Sequence, residues 1–149
     1  MIESMKPTCG VILILVSAFI AVPALATEKY TIARYTDIAV VGKFSDVRTA
    51  RHFHGWRLTG NLIVEESLYG SIPQGTRLYY EFDCSDCPVY PRIYVKTIFN
   101  TKGLWFLRRS NRGWAPAGTE RGDPGHRSIE YRNDMANFFR VQRPQENSK

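Results

Sequence analysis

The chain has 149 residues, with 20 lysines and arginines against 14 aspartates and glutamates, so its net charge is +6 at pH 7. This length is enough for one domain with one hydrophobic core. The sequence contains no nucleophile elbow, phosphate loop, HExxH motif or obvious carboxylate pair, which argues against the common hydrolase and nucleotide-binding sites.

The chain begins with the pattern of a signal peptide. An apolar run at residues 11–22 follows Lys6, and Ala24-Leu25-Ala26 is a small-x-small ending that a signal peptidase cuts. The run is shorter than the roughly 20 apolar residues that span a bilayer, and no second run follows. We therefore expect residues 1–26 to be removed and the mature chain, from Thr27, to be exported to the periplasm or the medium, with no transmembrane segment.

The composition of the mature chain favours strands and turns, because aromatic residues and valine alternate with scattered glycine and proline. We expect a single domain over residues 27–143 and a disordered tail over 144–149. Residues 38–47 predict a strand in which Gly42 marks a bulge or a close backbone approach. Residues 48–53 predict a polar connector.

Period-two alternation predicts the next strands. Even positions carry the apolar residues Trp56, Leu58, Leu62 and Val64, and odd positions carry the polar residues Arg57, Thr59, Asn61 and Glu65, as in a half-buried strand. Residues 76–82 alternate in the same way, and Pro73 and Gly75 before them predict a type I turn with proline at i+1 and glycine at i+3. A third alternating run occupies residues 93–99.

The last third of the chain predicts a hairpin, a loop and a helix. Residues 104–109 and 114–117 are strands joined by a turn at 110–113. The segment 118–127 is rich in glycine and proline, which favours a surface loop. Residues 133–141 predict a helix capped by Asn133 and ended by Pro144. Its apolar residues, at helical spacing, are Met135, Phe138 and Phe139.

These elements predict an all-β protein: a small OB-like barrel or a twisted antiparallel sheet, with one short C-terminal helix. Residues 37–43 (a strand with an internal glycine), 64–70 (a strand ending in a Leu-x-Gly corner) and 103–107 (a Leu-rich strand after a glycine) carry a resemblance. They resemble the OB-like barrel of netrin-type and tissue-inhibitor-of-metalloproteinase-like modules in small exported bacterial proteins. Inhibitors of that family chelate the protease metal with an N-terminal cysteine. Thr27 occupies that position here, so the resemblance does not extend to inhibition.

Cys84 and Cys87 form a CxxC motif followed by Pro88, and they are the cysteines that remain once Cys9 leaves with the signal peptide. One interpretation is a disulfide that closes a short loop, worth about 2 kcal/mol at most. A second is a redox-active pair, which needs a helix N-terminus at the first cysteine to stabilise the thiolate. The residues after Pro88 disfavour such a helix.

A third interpretation of the CxxC motif is a zinc half-site completed by His52 and His54, or by His126. The second half of such a site lacks a standard ligand spacing, and a surface pair explains His52 and His54 equally well. An exported protein meets an oxidising environment, which favours the disulfide among the three interpretations.

Arginine is dense in the C-terminal half of the chain and suggests a ligand-binding surface. A solvated basic surface explains the same charges, and ordinary turn chemistry explains the Asp-Pro-Gly sequence before His126, which could otherwise perform acid–base work. The candidate ligand-binding residues are Arg108, Arg109, Arg112, Trp114, His126 and Arg127.

The sequence therefore predicts a non-enzymatic exported module that binds an envelope protein or an anionic surface. It predicts no catalytic residues, cofactor or metal, and export argues against a nucleic-acid ligand. The alternative function is a thiol–disulfide or metal-handling protein that uses Cys84 and Cys87. A purely structural accessory domain is a third hypothesis.

Overall fold

The structure, a computed structural model, describes residues 31–52, 54–85, 91–118 and 122–142. The predicted signal peptide, Cys87 and the predicted tail lie outside these residues. The strands are β1 (Ile38–His52), β2 (Gly55–Tyr69), β3 (Arg77–Ser85), β4 (Gly103–Ser110), β5 (Gly113–Pro116) and β6 (His126–Arg127). The helices are α1 (31–34), α2 (Pro91–Tyr94) with a π-helical continuation (Val95–Phe99), a 3-10 turn (Ile129–Tyr131) and α3 (Arg132–Gln142).

The strands form one mixed sheet in the order β1-β2-β3-β5-β4-β6. β1 pairs antiparallel with β2 and also, through residues 38–42, with β4. β3 and β5 are parallel and are joined by the pairing of Tyr80 with Trp114. β1, β2, β3 and β5 therefore each pair with two other strands, and β4 pairs with three: β1, β5 and β6. The parallel pair corrects the prediction of a purely antiparallel sheet, while the β-rich fold and the short C-terminal helix are confirmed.

One hydrophobic core lies on the face that β2 and β3 turn inward. Positions 56, 58, 62 and 64 of β2 and positions 78, 80 and 82 of β3 are buried, which confirms the predicted alternation. Phe44 packs edge-on against Trp105 and Tyr80, with ring centroids 4.6 and 5.0 Å apart. Edge-to-face aromatic contacts of this kind add to the free energy that burial alone contributes.

A second core covers the opposite face of β1 and β4. Ala39, Val41, Leu104 and Phe106 point away from the first core and pack against α1 and α3. Met135, Phe138 and Phe139 of α3 are buried there, as the helical spacing predicts. Both faces of β4 are covered, which explains why residues 104–107 form a continuous apolar run instead of an alternating one.

The predicted strand at residues 93–99 is wrong, because this segment is helical. Tyr94, Val95 and Ile98 pack against the first core, and Phe99 is fully buried in it. These four residues share one face of a helix, whereas Ile93, which the alternating pattern assigned to the buried face, is 51% exposed. The alternating residues of this segment indicate a strand, but its buried residues have the spacing of a helix.

Strands β1 and β3 are longer than predicted. β1 continues to His52, so residues 48–52 are part of a strand and not a polar connector. Its register against β2 shifts at three places, one of them between Val41 and Gly42, which agrees with the bulge or close backbone approach predicted at Gly42. β3 continues to Ser85, so Cys84 lies in a strand and not in the predicted loop.

Two local details also differ from prediction. The N–H of Thr76 bonds to the carbonyl of Pro73 at 3.2 Å, so Gly75, with φ of +84°, is at i+2 of a type II turn. The prediction of a type I turn, with Pro73 at i+1 and Gly75 at i+3, was therefore wrong by one position. Asn133 lies inside α3 and is not its cap, because the helical path begins earlier, where the Ser128 hydroxyl accepts the N–H of Glu130.

Candidate functional site

A groove lies where β3 and β5 separate. The strands are joined at Tyr80 and Trp114, but β5 ends at Pro116 whereas β3 runs on to Ser85. The space between them has a volume of about 310 Å³. We call it the β3–β5 groove, and its lining residues come from β3, β4, β5 and the loop before β6. They are Glu81, Phe82, Asp83, Arg108, Ser110, Ala115, Pro116, Gly118, Gly122 and Asp123.

Asp83 stands on the β3 wall of the groove and is paired with Arg57. The two residues are opposite each other in the register of β2 and β3. Arg57 donates from Nε to Oδ1 at 2.6 Å and from a terminal nitrogen to Oδ2 at 3.1 Å. The bidentate bond to Asp83 raises the pKa of Arg57. This pair fixes the orientation of the Asp83 carboxylate.

Glu81 lies two residues before Asp83, on the same face of β3. Its Oε1 is 3.4 Å from Nε of Arg57 and 3.7 Å from a terminal nitrogen of Arg112. The Glu81 side chain is 15% exposed, whereas that of Arg112 is 67% exposed. Arg112 therefore lies at the rim of the groove, and Glu81 is held between two guanidinium groups.

Asp123 forms the end of the groove and is held by the loop around it. Its Oδ1 accepts the N–H of Gly125 at 2.8 Å, and its two oxygens accept from the guanidinium of Arg127 at 3.1 and 2.9 Å. The carbonyls of Gly122 and Pro124 accept hydroxyl hydrogen bonds from the first core, which hold the loop against the sheet. The donors are Tyr94 for Gly122, at 2.9 Å, and Tyr80 for Pro124, at 2.8 Å.

Arg108 supplies the guanidinium group in the lining of the groove. Its Nε donates to the carbonyl of Pro116 at 3.2 Å, which places the side chain along β5. Among the described residues, no carboxylate lies within ion-pair distance of Arg108. The two terminal nitrogens of its guanidinium thus keep their donors available to a ligand.

The structure divides the six predicted ligand-binding residues into two groups. Arg108, Arg109, Arg112 and Trp114 lie on the β4–β5 hairpin, but only Arg108 lines the groove. Trp114 is 8% exposed, and the Arg109 guanidinium lies 4.7 Å from its ring centroid. Trp114 is thus a support for Arg109 and for the core, not an exposed stacking surface.

His126 and Arg127 lie on β6, which pairs with the other end of β4. The His126 ring packs on Trp105 at a centroid distance of 4.8 Å, and its buried Nε2 has no hydrogen-bond partner among the described residues. Burial, aided by the charge of Arg127, lowers the pKa of His126 to about 4. Asp123 is paired with Arg127 and accepts the N–H of Gly125. These contacts favour the interpretation of the Asp-Pro-Gly segment as a turn over its interpretation as an acid–base site.

The CxxC motif is described in part. Cys84 is buried, at 2% exposure, and is paired with Trp56 across β2 and β3. Cys87 and the side chain of His52 lie outside the described residues, and His54 is in the turn between β1 and β2. No three His, Cys, Asp or Glu side chains in the described part of the chain are grouped so that they could hold a metal ion.

Sequence reasoning missed the acidic side of the groove. The alternation in β3 places Glu81 and Asp83 on the outward face, and this signal was available. Their pairing with Arg57 depends on the register of β2 against β3, and the position of Asp123 depends on a loop packing across the sheet. Neither contact has a local sequence signal.

Comparison of the chain with known protein families, characterised proteins and solved structures found no match. None of the helices in the described segments has the length and apolar character needed to cross a membrane.

Proposed function

We propose that this chain is an exported, non-enzymatic binding module of the cell envelope. Its framework is a small OB-like barrel, and its binding site is the β3–β5 groove. Support for the barrel comes from the pairing of β1 with both β2 and β4, together with the parallel pairing of β3 and β5. Helix α2 and its continuation lie between β3 and β4 in the chain and pack on the first core.

The observation that carries the binding proposal is the fixed geometry of the groove. Three carboxylates on its walls are each oriented by arginine, and two tyrosine hydroxyls from the core hold its end loop. Charged groups held in place before a ligand arrives lose little freedom when it binds, so more of the interaction energy appears as affinity. A solvated surface needs no such arrangement.

The apolar run and the Ala24-Leu25-Ala26 ending support export, and in that compartment we propose a structural disulfide between Cys84 and Cys87. The burial of Cys84 supports a structural role. A redox-active cysteine needs an accessible sulfur and a stabilised thiolate, and a buried strand position supplies neither. A thiol–disulfide or metal-handling function has no comparable support.

A site-specific photocrosslinker tests this proposal in the producing cell. It replaces Ser110, which is exposed at the groove, or Val141, which is 67% exposed on α3 and outside the groove. We expect a discrete crosslinked product from position 110 in the envelope fraction, and none from position 141. Equal products at both positions, or none at 110, would refute binding at the groove.

A further inference from the structure

The charges around the β3–β5 groove do not cancel. Its three carboxylates, at Glu81, Asp83 and Asp123, are matched by three arginines outside the lining. Those arginines are Arg57, Arg112 and Arg127. Arg108 remains, in the lining, with no carboxylate beside it in the described part of the chain. The groove therefore has one excess positive charge, and the Arg108 side chain carries it.

The geometry of Arg108 suits a carboxylate. A guanidinium offers five N–H donors in a planar fork, and the Pro116 carbonyl occupies the one on Nε. The two terminal nitrogens can bind both oxygens of one carboxylate in parallel, which gives a stronger and more directional contact than a single point charge. The exposed Ser110, two residues along β4, contributes a hydroxyl to the same lining.

The walls of the groove suit an extended peptide. β3 pairs with β2 along one edge, while its other edge, beyond Tyr80, faces the groove. A strand edge presents N–H and carbonyl groups that an added strand can pair with, and main-chain pairing of this kind is a recurring mode of peptide recognition. A sugar polymer offers no matching row of amide groups.

The size of the groove favours a chain end. At about 310 Å³ it is near the lower limit of ligand pockets, which begin at roughly 300 Å³. The loop with Asp123 forms its end and is held by Tyr80 and Tyr94. A space of this size receives the last few residues of a peptide more readily than the middle of a long one.

We infer that the β3–β5 groove binds the carboxyl-terminal end of an extended peptide, with the terminal carboxylate on the Arg108 guanidinium. This inference rests on the proposed binding function and specifies its partner. The ion pairs of Asp83 and Asp123 neutralise the walls, so that an incoming carboxylate is not repelled. Arg108 then supplies the contact that distinguishes a free chain end from any other peptide segment.

The test uses random hexapeptides immobilised through their N-termini, either with free carboxyl ends or as C-terminal amides. The purified processed protein should retain sequences from the free-acid set. For the best of these peptides in solution, we expect amidation to weaken binding at least about tenfold, because a charge-assisted bidentate bond is lost. Calorimetry or fluorescence anisotropy measures the affinities.

Variants locate the contact. Arg108→Gln should weaken binding of the free acid about as much as amidation does, and amidation should then have little further effect. Arg109→Gln removes a charge from the same hairpin, at a side chain that packs on Trp114 outside the lining, and should change the affinity less than about twofold. Arg108→Lys keeps the charge but loses the planar fork of donors, so its affinity should lie between those of the wild type and Arg108→Gln. Circular dichroism establishes that each variant is folded before its affinity is compared.

Three results would overturn the inference: no peptide retained, retention that does not depend on the free carboxylate, or affinities unchanged in Arg108→Gln. An acidic oligosaccharide such as oligogalacturonate that bound through Arg108, where no peptide did, would also overturn it. A crosslinked partner at position 110 together with any of these results leaves the proposed function standing and removes only the peptide end as ligand. If no crosslink forms at position 110 and no peptide is retained, both the proposed function and the inferred ligand are refuted.

Discussion

The Tyr80 hydroxyl donates a hydrogen bond of 2.8 Å to the carbonyl oxygen of Pro124, 44 positions further along the chain. Tyr80 is completely buried, and burial raises the pKa of its hydroxyl well above the usual value, so it stays a donor at all physiological pH. A core side chain therefore fixes the loop that ends the β3–β5 groove, and core stability and groove shape depend on the same residue.

Replacing Tyr80 by phenylalanine should lower the free energy of unfolding by about 1–3 kcal/mol. The ring is kept, but the Pro124 carbonyl loses its partner in a buried place. Urea denaturation measures the change. Tyr94→Phe is the matched control: the same bond type is lost at a partly buried site, so the effect should be smaller. An effect at Tyr94 that equals or exceeds the one at Tyr80 would contradict this account of the loop.

Acid should destabilise the protein through His126. Its pKa is about 4 in the folded state and about 6.5 in the unfolded state, so between these values the unfolded chain binds more protons. The free energy of unfolding should fall as the pH is lowered from 6.5 to 4. The loss is no more than about 3 kcal/mol and is reduced where water reaches the partly exposed ring.

The variant His126→Leu isolates this effect, because other acidic groups also titrate. Glu66, whose pKa is lowered by its hydrogen bond to Arg132, also destabilises the fold in acid, but it remains in both proteins. The difference in stability between the wild type and His126→Leu, followed by urea denaturation, should change over pH 6.5 to 4. A constant difference across that range would show that His126 is not held neutral by burial.

Gly42→Ala should destabilise the protein by about 1–3 kcal/mol, the usual cost of forcing an extra group into a packed site. A Cβ at Gly42 would collide with the carbonyl oxygen of Ile63, which is backbone and cannot turn away. Gly75→Ala is a different case: its Cβ would meet nothing, so any cost comes from the positive φ alone. Thermal unfolding of both variants separates the two causes. Unaltered stability in Gly42→Ala would mean that the bulge relaxes freely.

The CxxC pair should be oxidised, and mass spectrometry of the non-reduced processed protein should show the loss of two hydrogens. Replacing both Cys84 and Cys87 by serine should lower stability by about 1–2 kcal/mol and leave the fold intact, because the closed loop is so short. Two free thiols, or one zinc ion per chain released on acidification, would favour the thiol or metal hypothesis instead.

N-terminal sequencing of protein recovered from the extracytoplasmic fraction should begin at Thr27. The apolar run at residues 11–22 is too short to span a bilayer comfortably, and a cleavable ending follows it. An uncleaved chain in the membrane fraction would identify that run as an anchor.

The regularity of β2 made it predictable, because apolar side chains recur at even positions from 56 to 64 while polar ones occupy positions 57, 59 and 61, a pattern typical of a half-buried strand. Residues 93–99 were misassigned because they are few and contain isoleucine, valine and threonine, which favour strands, while their buried residues have helical spacing. Among the site residues, Arg108 could be identified as a candidate from charge density. Its hydrogen bond to Pro116 and the ion pair of Asp83 with Arg57 require strand registers that the sequence does not specify. The Asp123–Arg127 pair is local in sequence, but its place at the groove depends on how the loop packs on the sheet.

The position of β1 has a consequence for how the chain is made. The Thr36 hydroxyl bonds to the carbonyl of Leu107, 71 positions away, and residues 38–42 pair with β4. Until β4 has emerged, this part of β1 has an open edge and exposes Ala39 and Val41 on its outer face. An open apolar edge readily recruits another chain. A product truncated before residue 103 should therefore aggregate, because it has no β4 to cover this edge.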